Sequence, residues 1–302
     1  MAPTEADPSA SDEASAVGRS NGFLRNPADL RPLGFLVIHT GLLIIALTGL
    51  HRSFALGYAL GWLSVIAANA KHNHMHRRTF RAAWANLLLD HWLGLLTGTT
   101  STSIITEHNL RHHGHSNTED DFVRASLVGF RWQWLNVLCF FPRAVYELYF
   151  RKPLDFRLWW RQNRTLFWRG LAEQFTLWGT FIAVALFDWR TALLFMLLPW
   201  VHGQWWLVTF NLLQHQALAP DDPWQNSRNV IGPLSNFFFF NVGFHTAHHL
   251  RPTLHWSELP AYHHRVIAPR IDPRLVSRNL WEFYRDWFSR RSVPNTSVLS
   301  TP

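Results

Sequence analysis

The chemistry in this chain is concentrated in its histidines, of which there are 18. One group is Lys71-His72-Asn73-His74-Met75-His76, and a second is Glu107-His108-Asn109-Leu110-Arg111-His112-His113-Gly114-His115. A third is His245-Thr246-Ala247-His248-His249, and His215 stands alone, one helical turn after Asn211. Residues four apart on a helix share a face, so His72 and His76 can serve one site, as can His108 and His112. His113 is turned about 100° from His112, which lets neighbouring histidines serve two adjacent ions. His245 and His248 again share a face, with His249 beside them.

Imidazole suits zinc, copper, iron and nickel. A single zinc takes about four ligands, and these groups offer more, so two ions are the natural expectation. Cys139 is the only cysteine. That excludes an intramolecular disulfide and, within one chain, sites built on several cysteines. No H-E-x-x-H occurs, which argues against a zinc protease. An iron pair can activate oxygen and then carries the hard chemistry itself. The plainer alternative is a solvated or hydrogen-bonded histidine near a bilayer surface. His39, His51, His202, His255, His263 and His264 are assigned to that class. His202 lies inside an apolar segment, where polar groups are often functional.

Helices must carry these clusters. Residues 33–50 and 54–70 are apolar runs parted only by His51, Arg52 and Ser53; residues 171–187 and 191–213 repeat the pattern around Asp188, Trp189 and Arg190. Each is near the ~20 residues that cross a bilayer. The expected fold is all-α and membrane-integral, with four transmembrane helices in two hairpins. Buried helices of a soluble protein are the alternative, and four such runs in two tight hairpins weigh against it. Pro199 and Gly203 are candidates for a kink in the last helix. The hairpin tips carry only Arg52 and Arg190, whereas the stretch between the hairpins carries Lys71, Arg77, Arg78, Arg81, Arg111, Arg124, Arg131, Arg143, Arg151 and Lys152. Basic loops stay in the cytoplasm, so the termini and the clusters are expected there. Residues 84–106 and 127–150 are apolar but interrupted by Asp90 and His91, and by Arg131, Arg143 and Glu147. Both are expected to be interfacial or partly buried helices.

The net charge of +8 fits nucleic acid, an anionic membrane or a solubilising tail. With 17 Trp and 23 Phe, the membrane is favoured. No zinc-finger spacing, nucleic-acid motif or phosphate loop occurs. Composition places disordered tails at residues 1–29, cytoplasmic, and 291–302, flanking a membrane domain at 30–290.

The order of these features resembles the membrane fatty acid desaturase and hydroxylase superfamily. It runs hairpin, His72/His76, His108/His112/His113, hairpin, His215, then His245/His248/His249. The resemblance covers about residues 30 to 290. It implies four transmembrane helices beneath a helical cytoplasmic cap that carries a non-haem di-iron site held by these nine histidines. Asn211 and His215 look like the family's N-x-x-x-H, in which the Asn holds an iron-bound water. The stretch from Asn241 to His249, with Pro252, His255-Trp256 and Leu259-Pro260, is similar to the desaturase branch. Glu107-His108-Asn109 with His112-His113 and Thr118-Glu119-Asp120 is similar to the alkane hydroxylase branch. His74 and His115 are additions, and Thr246 stands where many desaturases have Asn.

The resemblance further implies O2 as co-substrate, hydrogen abstraction from a fatty-acyl chain and a lipid environment such as a bacterial inner membrane. No fused haem domain is present, so electrons are expected from a separate ferredoxin-like or small haem carrier with its reductase. Desaturation is the first expectation. Hydroxylation and decarboxylation to a terminal alkene are the alternatives, since outcome depends on substrate placement to within about an ångström. Outside enzymes, the rival is a histidine-rich membrane metal transporter, which needs ionisable groups within its spans.

Overall fold

A computed structural model of the chain describes residues 22–105, 108, 112–114, 117–151, 159–161, 163–218 and 222–289. Helices α1 (Leu30–Leu47) and α2 (Phe54–His76) form the first hairpin, followed by α3 (Ala83–Thr97) and the short α4 (Ser101–Ile104). Next come α5 (Gln133–Tyr146), α6 (Arg164–Ala192) and α7 (Leu198–His215). The chain closes with α8 (Pro233–Phe238), α9 (His245–Leu250), α10 (Leu259–Tyr262) and α11 (Leu280–Ser289).

Both hairpin turns have a local chemical cause. Ser53 caps α2 by accepting the Leu56 N–H at 3.2 Å. Asp188 is non-helical (φ −153°, ψ 90°) within α6. Its carboxylate accepts the Thr191 N–H at 3.2 Å and the Thr191 hydroxyl at 2.8 Å, which starts the returning arm. The two tips meet, with Arg52 donating to Asp188 at 2.8 Å. Both partners are more than a third exposed, so this contact fixes position more than stability. Two stretches, Pro27–Leu47 and Arg164–His215, are long and apolar enough to cross a bilayer; the second is folded back on itself at Asp188.

Close packing sets α2 against α7. A Cβ on Gly203 would lie 2.8 Å from the Ser64 Cβ, so glycine allows the two backbones to approach. The helix that contains Gly203 has a turn of π-helix just before it, at Leu193–Leu197, and Pro199 falls in the first turn of α7.

Segment 84–106, expected to be an interfacial or partly buried helix, is partly buried. Helix α3 packs among α1, α2, α6 and α7, ends at the left-handed Gly98, and the chain returns through α4. Its polar residues explain this placement. Asp90 is buried and takes Arg78 at 2.9 Å together with Arg169. Glu173 of α6 accepts the Thr102 N–H at 2.9 Å and its hydroxyl at 2.7 Å. Lys71 is buried and donates to Thr97 Oγ1 at 2.6 Å and to the Thr99 carbonyl at 2.7 Å. Buried charges persist when paired in this way, so acids inside apolar segments mark helix contacts. Helix α5 buries Asn136, Phe140 and Ala144 and exposes Trp132, Trp134, Leu138 and Tyr146, an amphipathic pattern.

Two departures concern the N-terminal segment and a small sheet. Residues 22–29, assigned to a tail from composition, are ordered. Leu24 bridges Phe80, and buried Asp29 accepts from Trp256 Nε1 at 2.9 Å and lies 3.1 Å from His255 Nε2. Residues 1–21 and 290–302 lie outside the described residues. The all-α expectation also misses a parallel strand pair, β1 (Asn229–Val230) with β2 (Val276–Ser277). These strands satisfy buried backbone next to the third cluster, where extended chain needs partners.

Candidate metal centre

Each histidine is carried by an element end that turns inward. His72 and His76 are one turn apart on the last turns of α2, with ring centroids 4.8 Å apart. His108 follows α4, and the His113 N–H donates to the His108 carbonyl at 3.0 Å, closing the turn that presents both rings. His215 ends α7. His245, His248 and His249 occupy the short α9, whose start is fixed by the Thr246 N–H donating to Asn229 Oδ1 at 3.1 Å. Asn229 Nδ2 also donates to Thr246 Oγ1 at 2.8 Å, so threonine serves where many desaturases have Asn.

These residues converge as two groups. Ligand atoms of His72, His76, His108, His113 and His248 all lie within 4.8 Å of one another, as do those of His112, His215 and His249. His245 joins the second group, its Nε2 standing 2.9 Å from His215 Nε2 and 3.1 Å from His249 Nε2. The groups adjoin, with the His113 and His249 ring centroids 4.7 Å apart. Neighbours in sequence therefore divide: His112 and His113 point to different groups, as do His248 and His249.

Proton bookkeeping shows what the groups are fit to hold. His215 Nδ1–H donates to the Asn226 carbonyl at 2.9 Å, so its Nε2 is a bare lone pair. His112 Nδ1–H donates to Asp121 Oδ2 at 2.8 Å. Among the described residues, His112 Nε2 is buried without a partner, and so is His76 Nε2. His72 Nδ1–H donates to Asn73 Oδ1 at 3.2 Å, freeing its Nε2 as well. Burial, reinforced by the neighbouring rings, holds His108, His245, His248 and His249 well below the ordinary histidine range. All are thus neutral, the form that binds metals. For metal–nitrogen bonds of about 2.1 Å, adjacent ligands stand about 3 Å apart. The mutual 2.9–3.1 Å separations of His215, His245 and His249 match that value. Converging lone pairs without protons call for cations, and the donor set fits two.

A cavity of about 560 Å³ opens against the centre. It touches His72, His108 and His245, and apolar residues such as Phe141, Val145, Leu148, Leu177 and Leu207 line most of it. Asn211 is on its wall and donates to the Val123 carbonyl at 2.8 Å.

Several positions behave differently from the clusters. His74 is buried away from both groups, accepting the Thr79 N–H at 3.2 Å and lying 3.4 Å from Asp90. His115 and Glu107 lie outside the described residues. His39, His51, His202, His255, His263 and His264 belong to neither group. His202 accepts from Trp206 Nε1 at 3.1 Å, and His51 sits 2.9 Å from Ser53 Oγ. Sequence reasoning missed Asp121 and Asn226, which orient His112 and His215. The run Glu119-Asp120-Asp121 carried a signal, but only the fold shows which acid faces the site.

Inward-turned helix ends, neutral clustered imidazoles and an adjoining apolar cavity make a histidine-rich site able to hold metal beside apolar space. The family model for fatty acid desaturase matches residues 51–280, and the chain belongs to that family. No curated protein matches the chain.

Proposed function

We propose that this chain is an oxygen-dependent di-iron oxidase of the membrane that desaturates a fatty-acyl chain. The observation that carries it is the set of bare, buried imidazole nitrogens in two adjoining groups at the wall of an apolar cavity. The proposed ligands are His72, His76, His108, His113 and His248 for one iron and His112, His215, His245 and His249 for the other. Asn211 is assigned the metal-bound water by its place one turn before His215. Bound iron supplies oxygen activation and C–H oxidation. The protein's own share is positional: the cavity aligns the chain, Asp121 and Asn226 fix ring orientation, and burial excludes water.

For the membrane, the joined hairpin tips and the histidines lie at opposite ends of α2. Its 23 residues extend about 34 Å, close to a bilayer core of about 30 Å. This length supports the proposed four spans with a cytoplasmic histidine face; electrons from a separate ferredoxin-like or haem carrier complete the proposal.

The test is metal analysis of purified protein together with mass spectrometry of lipids and volatiles from an expressing host. About two irons per chain and new unsaturated acids are expected. Reversible zinc or copper in place of iron would favour a transporter and sink the oxidase. Hydroxylated chains or terminal alkenes as the sole new products would overturn desaturation.

A further inference from the structure

Two aromatic rings mark where the cavity meets the surface. Among its described lining residues, Tyr149 and Trp178 are the exposed ones, at 60% and 44%, whereas Leu177 beside them is 2% exposed. Tyr149 sits on the turn of π-helix at Glu147–Arg151 that continues α5, and Trp178 sits on α6. Helix α5 packs on α7, and α6 packs on α3 and α4, so the two rings belong to separately braced helices. The cavity thus has its mouth between α5 and α6.

Height decides what this mouth opens to. The ion pair of Arg52 with Asp188 marks the end of the bundle remote from the histidines. On α6, Trp178 stands ten residues before Asp188 and Gln174 fourteen, or about 15 and 21 Å of helix. On the α5 side, Phe141 stacks on Trp205 of α7 with ring centroids 6.0 Å apart, and Trp205 follows Thr191 by fourteen residues, a similar height. In a bilayer core of about 30 Å whose far boundary holds the ion pair, this level lies among the acyl chains. The surface near the mouth suits that level. Tyr146, Phe150, Phe175 and Ile182 are all exposed, and apolar surface of this kind marks contact with a membrane or partner. Trp178 Nε1 donates to Gln174 Oε1 at 2.9 Å, so the rim indole is satisfied within its own helix and needs no water.

We propose that substrate reaches the histidines sideways from the bilayer, passing between Tyr149 and Trp178 as a single-chain amphiphile dissolved in the membrane. A chain held by a water-soluble carrier protein does not meet this mouth. The inference deepens the membrane reading above and rests on its orientation.

The test uses full-length protein in phosphatidylcholine vesicles, with Cys139→Ser as background and a nitroxide attached at Tyr149→Cys or Trp178→Cys. Relaxation by dissolved oxygen, which concentrates in hydrocarbon, is compared with relaxation by a water-soluble nickel chelate. Oxygen should dominate at both positions, and nickel at Arg274→Cys, whose native side chain is 86% exposed. Nickel dominating at either rim position would overturn the proposal. Oxygen dominating at Arg274→Cys would sink the orientation of the chain, and the rim labels would still decide the mouth by themselves. A second arm is kinetic. After folding, the rim cysteines are joined to a bulky maleimide, and exchange of tritiated hexadecanoic acid is followed in the same vesicles. Association and dissociation should both slow at least about tenfold while equilibrium affinity changes less than about twofold, as for a gated passage. Unchanged exchange rates, or weaker affinity in place of slower exchange, would overturn the entry route. Absence of saturable hexadecanoic acid binding to unmodified protein would sink the fatty-acyl reading instead, and the spin labels would then decide the route.

Discussion

His248 and His113 stand where the first metal group closes, their Nε2 atoms 3.1 Å apart. Replacing either with Ala removes one of the proposed ligands. His248→Ala and His113→Ala proteins are expected to lose iron and turnover, whereas His264→Ala, an exposed ring outside both groups, should keep both. Retention of two irons and activity in either cluster variant would remove these residues from the site. Asp121 makes a subtler prediction. It accepts from His112 Nδ1 and from the backbone N–H of Asn117 and Val123, at 2.8, 2.9 and 3.0 Å. Asp121→Asn preserves shape but weakens the hold on the His112 tautomer. Metal affinity should fall about 10–100-fold, as for other partners of ligating histidines, read by chelator competition.

At the scale of elements, the third cluster depends on one tight crossing. A Cβ on Gly243 would lie 2.2 Å from the Val230 carbonyl oxygen, a backbone atom with nowhere to go. Val230 N–H also donates to the Gly243 carbonyl at 2.8 Å. Gly243→Ala must therefore shift the lead into α9, two residues before His245. Iron occupancy should drop with this variant while helix content, by circular dichroism, stays near wild type; unchanged iron would show that α9 is positioned from elsewhere. Gly203→Ala tests the α2–α7 contact instead. Overpacking against Ser64 should cost about 1–3 kcal/mol in stability, seen as a lower thermal midpoint in detergent.

For the whole molecule, the burial that shapes the site also makes the metal-free protein acid-sensitive. Burial places His113 at about 2 and His263 at about 4, against the ordinary 6.5. Once unfolded, these rings take up protons below about pH 6.5; in the folded chain they stay neutral. Stability is thus fully present above that value and falls as the pH drops towards the folded values. Thermal unfolding of metal-stripped protein between about pH 8 and pH 5 checks this. A midpoint that rises on acidification would contradict it.

The residue types and spacings were enough to name the nine clustered histidines, the turns at Ser53 and Asp188, and the family, because each is a local pattern of one helical turn or one hairpin. Local pattern could not say how the groups divide. His112 and His113, or His248 and His249, are adjacent in sequence, and only the fold turns them to different partners. Nor could it say what holds α3, expected only as an interfacial or partly buried helix. Asp90 is buried there because Arg78, twelve residues earlier, and Arg169, on another helix, neutralise it. His74 sits inside the first cluster by spacing and outside the site in space, since Thr79 and Asp90 claim its ring. Asp121 stands in an acidic run, Glu119-Asp120-Asp121, and nothing in the run says that the third acid is the one that meets His112. Which polar group is satisfied and which is left facing a cavity is a property of packing between distant segments, so tertiary structure alone decided it.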